Sequence, residues 1–201
     1  MSENNILGVV LAGGKSKRFG DDKTTAKLGE KTLLDHTVEK IEKKFDEILI
    51  ISNNETAIPN NKNVFFTKDL IEGHLGPLVG VLSAMEWVKR NKKNYNWIAT
   101  FPCDTPFFDE KLIDKIKNSS TNSSKKLFFL KSGTRRHNIF GLWSLELKEI
   151  LLEDINKGQR KVEEWANKIG SEIIEINDDN EYSFLNINTK QDLEKAKKKI
   201  K

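Results

Sequence analysis

Cysteine is nearly missing from this sequence. Cys103 stands alone among 201 residues, so no intramolecular disulfide can form and a zinc site built from several cysteines lacks its ligands. That usage suits a reducing cytosol. No uninterrupted apolar run is long enough to span a bilayer. The opening residues, Met1-Ser2-Glu3-Asn4-Asn5, put no basic segment ahead of an apolar run, as a secretory signal would. The expectation is a soluble, cytoplasmic protein. Charge of one sign is scarce as well. The formal net charge of +4 is the small difference between 34 Lys and Arg and 30 Asp and Glu. A dedicated nucleic-acid binder would concentrate more basic residues on one face, whereas a basic pocket for a polyanionic small molecule is compatible with this balance. The histidines, His36, His74 and His137, are scattered singly, so surface or core roles are expected of them. Cys103 has no histidine near it in sequence and reads as a small buried residue rather than a nucleophile.

What is present is an ordinary globular composition, 37% hydrophobic and 32% charged, long enough to bury a substantial core. Without an internal repeat or a dividing linker, residues 1–201 are expected to form a single domain. Apolar runs predict strands at 6–11, 47–51, 64–67, 95–101, 126–131, 138–143, 172–176 and 183–187. Helical spacing predicts helices over 32–45, 77–91, 109–117, 145–155, 160–168 and from about 190 to the end. Arg135 and Arg136 are expected in a basic turn between two strands. Strands alternating with helices point to a three-layer α/β/α fold of Rossmann-like type around a mostly parallel sheet. In such sheets ligands bind beyond the carboxyl ends of the strands.

The first strand breaks at Gly13-Gly14 and runs into a loop carrying Lys15, Lys17, Arg18 and Lys23. Glycines let successive N–H groups turn inward around an anion, and basic side chains add charge-assisted bonds to phosphate oxygens. Two familiar glycine loops are absent. A Walker loop would need glycine where Val9 stands, and adjacent glycines do not make the Gly-x-Gly-x-x-Gly of a dinucleotide fold. The loop therefore reads as a phosphate-binding turn of another kind, or as a strand-to-helix turn with a solvated charged face.

Asn53, Asp69 and Asp104 each follow a strand, on the same rim as the glycines. Asp104 sits between two prolines in Pro102-Cys103-Asp104-Thr105-Pro106, which restrict the local backbone. A carboxylate held rigidly where phosphates gather suits Mg²⁺, which prefers carboxylate, water and phosphate oxygens; a turn aspartate or helix cap is the plainer alternative. Asp69 and Asn53 could meet a base or sugar, or cap a turn. Asn186 and Asn188 alternate along the expected strand over 183–187, which would aim both carboxamides at one face. Arg135-Arg136-His137 and Gly158-Gln159-Arg160-Lys161 could reach a second phosphate-bearing substrate or be solvated turns.

Taken in order, several stretches resemble the molybdenum cofactor guanylyltransferases. They are Leu11-Ala12-Gly13-Gly14 with Ser16, Arg18, Gly20 and Asp22-Lys23; Gly76-Pro77-Leu78-Val79-Gly80; Pro102-Cys103-Asp104-Thr105-Pro106-Phe107; Gly158-Gln159-Arg160-Lys161-Val162; and Phe184-Leu185-Asn186-Ile187-Asn188-Thr189. The opening motif is shared by many nucleotidyltransferases, and the full set in this order is more specific. The resemblance implies a nucleotide-diphospho-sugar-transferase type of fold and transfer of GMP from GTP to molybdopterin with release of pyrophosphate. It implies that Leu11, Ala12, Gly13, Gly14 and Lys23 bind GTP, with Asn53 and Asp69 near its guanosine end. Asp104 would bind GTP and Mg²⁺, Lys23 and Arg18 would offset developing charge, and Asn186 and Asn188 would lie on the pterin side. Implied partners are molybdopterin carriers or apo-molybdoenzyme chaperones, with neither nucleic acid nor membrane. The sequence departs from the family at Lys190 and Asn138, where proline is usual. Relatives that use CTP resemble Leu-Ala-Ala-Gly at the loop, so the paired glycines favour GTP. A molybdopterin cytidylyltransferase, a sugar-phosphate nucleotidyltransferase and a non-catalytic carrier of nucleotide or molybdopterin are the competing expectations.

Overall fold

The computed structural model describes residues 5–13, 25–53, 61–73, 76–121, 123–177 and 182–199. Its centre is a seven-stranded sheet. In chain order the strands and helices are β1 (Ile6–Leu11), a short pair β2 (Lys27–Leu28) and β3 (Lys31–Thr32), α1 (Leu33–Ile41), β4 (Ile48–Ile51), β5 (Val64–Thr67), α2 (Pro77–Arg90), β6 (Trp97–Pro102) and α3 (Lys111–Asn118). Then follow β7 (Leu127–Ser132), β8 (Arg135–Ser144), α4 (Lys148–Asn156), α5 (Val162–Ile169), β9 (Glu172–Ile176) and α6 (Lys190–Lys197). The sheet order is β5-β4-β1-β6-β8-β7-β9. All neighbours are parallel except at β8, which runs antiparallel to both β6 and β7.

Both faces of the sheet are covered, and the alternation of side chains along each strand decides which helices cover them. On one face Ile6 and Val10 of β1 pack with Ile48, Ile50, Ala99 and Phe101 under α1 and α3. On the other, Leu7 and Val9 pack with Leu49, Ile51 and Ile98 under α2, α4 and α5. A strand buried on both sides must be apolar at every position, which is why Ile6 to Leu11 reads as a continuous run. A separate small cluster joins Leu28, Leu33, Ile187, Leu193 and Ala196, clamping α6 onto the β2–β3 pair. Among the described residues no helix is long and apolar enough to cross a membrane.

Several boundaries differ from the sequence-based expectation for local reasons. Thr32 caps α1 through a reciprocal bond with Asp35, so the helix starts where expected, but it ends at Ile41. The β2–β3 pair was not anticipated; Gly29, at φ +73, supplies the left-handed residue its tight turn needs. Arg135 and Arg136 lie in β8 rather than in a turn, because Gly133 and Thr134 alone close the β7–β8 hairpin. Residues 145–147 form a 3₁₀ turn before α4, and α5 begins at Val162, leaving Arg160 outside it. The expected strand over 183–187 does not form. Leu185 N–H instead donates to Tyr182 O in a turn, and Ile187 N–H donates to Asp104 O.

Candidate functional site

The register of β1 with its two neighbours builds the site. Leu11 pairs with Ile51 on one side and Pro102 on the other, so Ala12-Gly13, Ser52-Asn53 and Cys103-Asp104 leave the sheet side by side. Backbone bonds carry the pairing past the strand ends: Ala12 N–H donates to Ile51 O (2.9 Å), and Cys103 N–H donates to Leu11 O (3.2 Å). Ile51 pairs with Thr67 in turn, which delivers Asp69 to the same rim. Leu11, Ala12, Gly13, Asn53, Asp69 and Asp104 therefore gather at the carboxyl ends of consecutive parallel strands, as expected. Gly14, Arg18 and Lys23 lie outside the described residues. Cys103 is buried, as expected of a packing residue.

On the β4–β5 side of the rim, Asn53 Nδ2 donates to Asp69 Oδ2 at 3.4 Å. The same oxygen lies 3.5 Å from where a Cβ on Gly13 would stand, and Oδ1 lies 3.8 Å from the corresponding point on Gly80. A side chain at Gly80 would also come within 3.0 Å of Leu11 Cδ2, so this glycine lets α2 approach the rim closely. Ser83, which sequence reasoning missed, fixes the chain next to Asp69. Its hydroxyl accepts from Leu70 N–H and donates to Val79 O, both at 2.7 Å. A serine inside an apolar helix face, three residues after Gly80, was the available signal. Gly76 caps α2 at φ +92, with Pro77 following in the first turn. This is the backbone glycine tolerates and the position proline prefers. The carbonyl of Arg160 comes within 3.5 Å of where a Cβ on Gly76 would stand, so the loop ahead of α5 passes over the start of α2.

On the β6 side, residues 182–189 are folded against Asp104. Ile187 N–H donates to the Asp104 carbonyl at 2.8 Å. Thr105 Oγ1 lies 2.6 Å from the side-chain oxygen of Asn186 and 3.1 Å from Asp104 Oδ1. Phe184 stacks on His137, ring centroids 3.5 Å apart. Ile187 is fully buried in the small cluster under α6, while Asn186 and Asn188 on either side of it are exposed. The two asparagines thus flank a buried isoleucine, but in an irregular segment rather than the expected strand. Asn186 meets Thr105 beside Asp104. Asn188 sits at the helix entry, where its N–H donates to Asp192. Lys190 is the first residue of α6 behind its Thr189 cap. That position favours proline without requiring it, so the departure from the family costs the helix little. Asn138 lies within β8, and its side-chain oxygen is buried with no hydrogen-bond partner among the described residues. Of the two basic clusters, Arg136 is tied to Asn167 of α5, and Arg160 donates to Ile155 O and Gln159 O.

The donor set limits the metal that could bind. Among the described residues no group of three or more His, Cys, Asp and Glu could cage an ion. Asp104 offers a single, partly exposed carboxylate at the rim. That suits Mg²⁺, which keeps most of its waters and takes the rest of its ligands from phosphates; it does not suit zinc, which needs several nitrogen or sulfur donors.

Comparison with protein families matches residues 8–171 to the MobA-like NTP transferase domain. A molybdenum cofactor guanylyltransferase of Haemophilus influenzae (strain 86-028NP) is 33% identical over 193 residues, covering 95% of this chain and 97% of the relative. Among solved structures, molybdopterin-guanine dinucleotide biosynthesis protein A from Archaeoglobus fulgidus superposes with a TM-score of 0.79 at 20% identity, covering 96% of this chain and 98% of its own. The 2-C-methyl-D-erythritol 4-phosphate cytidylyltransferase of Francisella tularensis superposes with a TM-score of 0.72 at 17% identity, covering 96% and 98%. The last likeness shows that this fold is shared with an enzyme named for a different nucleotide, so fold alone does not choose the base.

Proposed function

Because the chain belongs to the MobA-like NTP transferase family, we propose that it transfers GMP from GTP to the terminal phosphate of molybdopterin. An oxygen of that phosphate attacks the α-phosphorus of GTP, the bond from the α-phosphorus to the bridging oxygen breaks, and pyrophosphate leaves with the electron pair. No covalent intermediate on the protein is required, so the chain contributes orientation and charge stabilisation.

The observation that carries this reading is the division of the rim about β1. Gly13, Asn53 and Asp69 gather on one side, and Asp104, Thr105 and Asn186 on the other. Within the first group, Asn53 and Asp69 suit guanosine. Guanine presents two adjacent N–H donors, and an ionised carboxylate presents two acceptors and no donor, which is the match Asp69 offers. Asn53 Nδ2 holds one of its oxygens in place. The N–H groups of Gly13 and Gly14, beyond the end of the β1 ladder, with Lys23 and Arg18, would take the phosphates. Mg²⁺ held through Asp104 would supply a positive charge shared by the α-phosphate and the departing pyrophosphate. Asn186, held beside Asp104 by the burial of Ile187, and Asn188, at the entry to α6, would orient the pterin.

The test is pyrophosphate release measured across nucleotides, with and without molybdopterin. GTP together with molybdopterin should be turned over preferentially. Asp104→Asn should lose about hundredfold or more in rate while melting at an unchanged temperature. Preferential use of CTP, or of a sugar 1-phosphate in place of molybdopterin, would overturn the assignment. Tight GTP binding without pyrophosphate release would instead mark a carrier.

A further inference from the structure

Thr105 stands between Asp104 and Asn186 on the β6 side of the rim, and the transfer described above gives it no role. It is buried to 1% exposure, yet both side-chain groups near its hydroxyl belong to the site: the carboxamide oxygen of Asn186 at 2.6 Å and Oδ1 of Asp104 at 3.1 Å. A hydroxyl carries one proton. It cannot donate to both oxygens, and whichever it leaves faces its lone pairs. The conflict disappears when the Asn186 carboxamide is turned over, which exchanges two groups of nearly the same shape. Nδ2 then donates to Oγ1, and the hydroxyl donates to the carboxylate, the stronger of its two possible bonds because the acceptor is charged.

We propose that Thr105 is a positioning residue that relays a hydrogen bond from Asn186 to Asp104, setting the metal-binding carboxylate and the acceptor-side amide against each other. The proposal rests on the reading of Asp104 as the metal ligand. Engaging Oδ1 restrains the rotation of the carboxylate at a partly open rim. It also leaves the Asn186 oxygen turned away from Thr105 and available to accept from a bound substrate. The relay is separable from the docking of the segment. The Ile187 N–H donates to the Asp104 carbonyl and Ile187 packs in its cluster, and neither contact uses the Thr105 hydroxyl.

Thr105→Ser loses only the methyl, and Thr105→Ala loses methyl and hydroxyl together, so the pair isolates the hydroxyl. The readout is Mn²⁺ affinity by electron paramagnetic resonance, on protein holding a GTP analogue with a methylene in place of the α–β bridging oxygen. Thr105→Ala should weaken Mn²⁺ binding about tenfold to a hundredfold, the usual consequence of losing an outer-shell partner, with Thr105→Ser close to the parent. Asn186→Ala, at an exposed position that leaves the core intact, should weaken Mn²⁺ from the other end of the relay and add little to Thr105→Ala in the double variant. Unchanged Mn²⁺ affinity in Thr105→Ala, or in Asn186→Ala, overturns the relay. Asp104→Asn separates the two possible failures. If it too leaves Mn²⁺ affinity unchanged, the metal-ligand reading of Asp104 is wrong and the relay falls with it. If it abolishes binding while Thr105→Ala does not, only the relay is wrong.

Discussion

Ile187→Ala tests whether the small cluster under α6 holds the acceptor side of the rim. Ile187 is fully buried against Leu28, Leu33, Leu193 and Ala196. Truncation removes three carbons, and at ~0.8 kcal/mol for each methylene-sized group the transfer loss is ~2.4 kcal/mol. The cavity left behind raises that within the range of about 2–5 kcal/mol typical for such changes. Were the whole loss felt globally, a chain of this length would melt roughly 5–10 °C lower. The cluster is distinct from the two that sandwich the sheet, so opening of α6 and residues 185–188 should absorb most of it as a local event. A loss of ~2.4 kcal/mol corresponds to about a fiftyfold increase in the open population. Amide hydrogen exchange at residues 187 and 193 reads this directly, because those amides donate to Asp104 O and Thr189 O. Exchange there should accelerate about fiftyfold, with the amides of β1 and β4 unchanged. Molybdopterin should bind more weakly to the extent that the open state is populated, while GTP affinity stays near the parent. Unaltered exchange at both amides would refute the claim that this cluster fixes the segment.

Gly141→Ala should destabilise the sheet. The added Cβ would lie 2.6 Å from the backbone oxygen of Phe128 and 2.7 Å from the Phe129 ring, and the backbone cannot yield without disturbing the β7–β8 ladder at its irregular point. A loss of about 1–3 kcal/mol should appear in urea unfolding, and an unchanged midpoint would show that the strands can part there at no cost. Asp192 makes the entry to α6 sensitive to acid. Its hydrogen bonds from the Thr189 hydroxyl, then from the amides of Asn188 and Thr189, hold the carboxyl below its ordinary value of 3.8. The folded form therefore binds its proton less readily than the unfolded one. The cap is fully effective above the ordinary value and is lost as pH falls through the lowered one. Fraying of α6 followed by amide exchange should begin only below about pH 4; fraying that starts near neutrality would point to another group.

The continuous apolar run of β1, with both neighbours equally apolar, was legible in the sequence. So were the polar residues that follow each parallel strand, since the chain reversal that places a strand end at the rim is written in local composition. The capping pairs Thr32 with Asp35 and Thr189 with Asp192 are local as well. Other features depend on residues far apart in the chain and leave no periodic trace. The segment carrying Asn186 and Asn188 looks like a strand because polar and apolar residues alternate there. It is held in an irregular path because Ile187 finds a cluster supplied by β2, α1 and α6 and because the Asp104 carbonyl takes its N–H. Ser83 beside Leu70 and Thr105 beside Asn186 are meetings between positions 13 and 81 residues apart in the chain, which no spacing rule anticipates. Sequence by itself determined the layers of this protein and the edge where its chemistry gathers, because burial and chain reversal are local demands. Which groups touch at that edge was decided only by tertiary packing, because side-chain contact depends on how distant segments share a core.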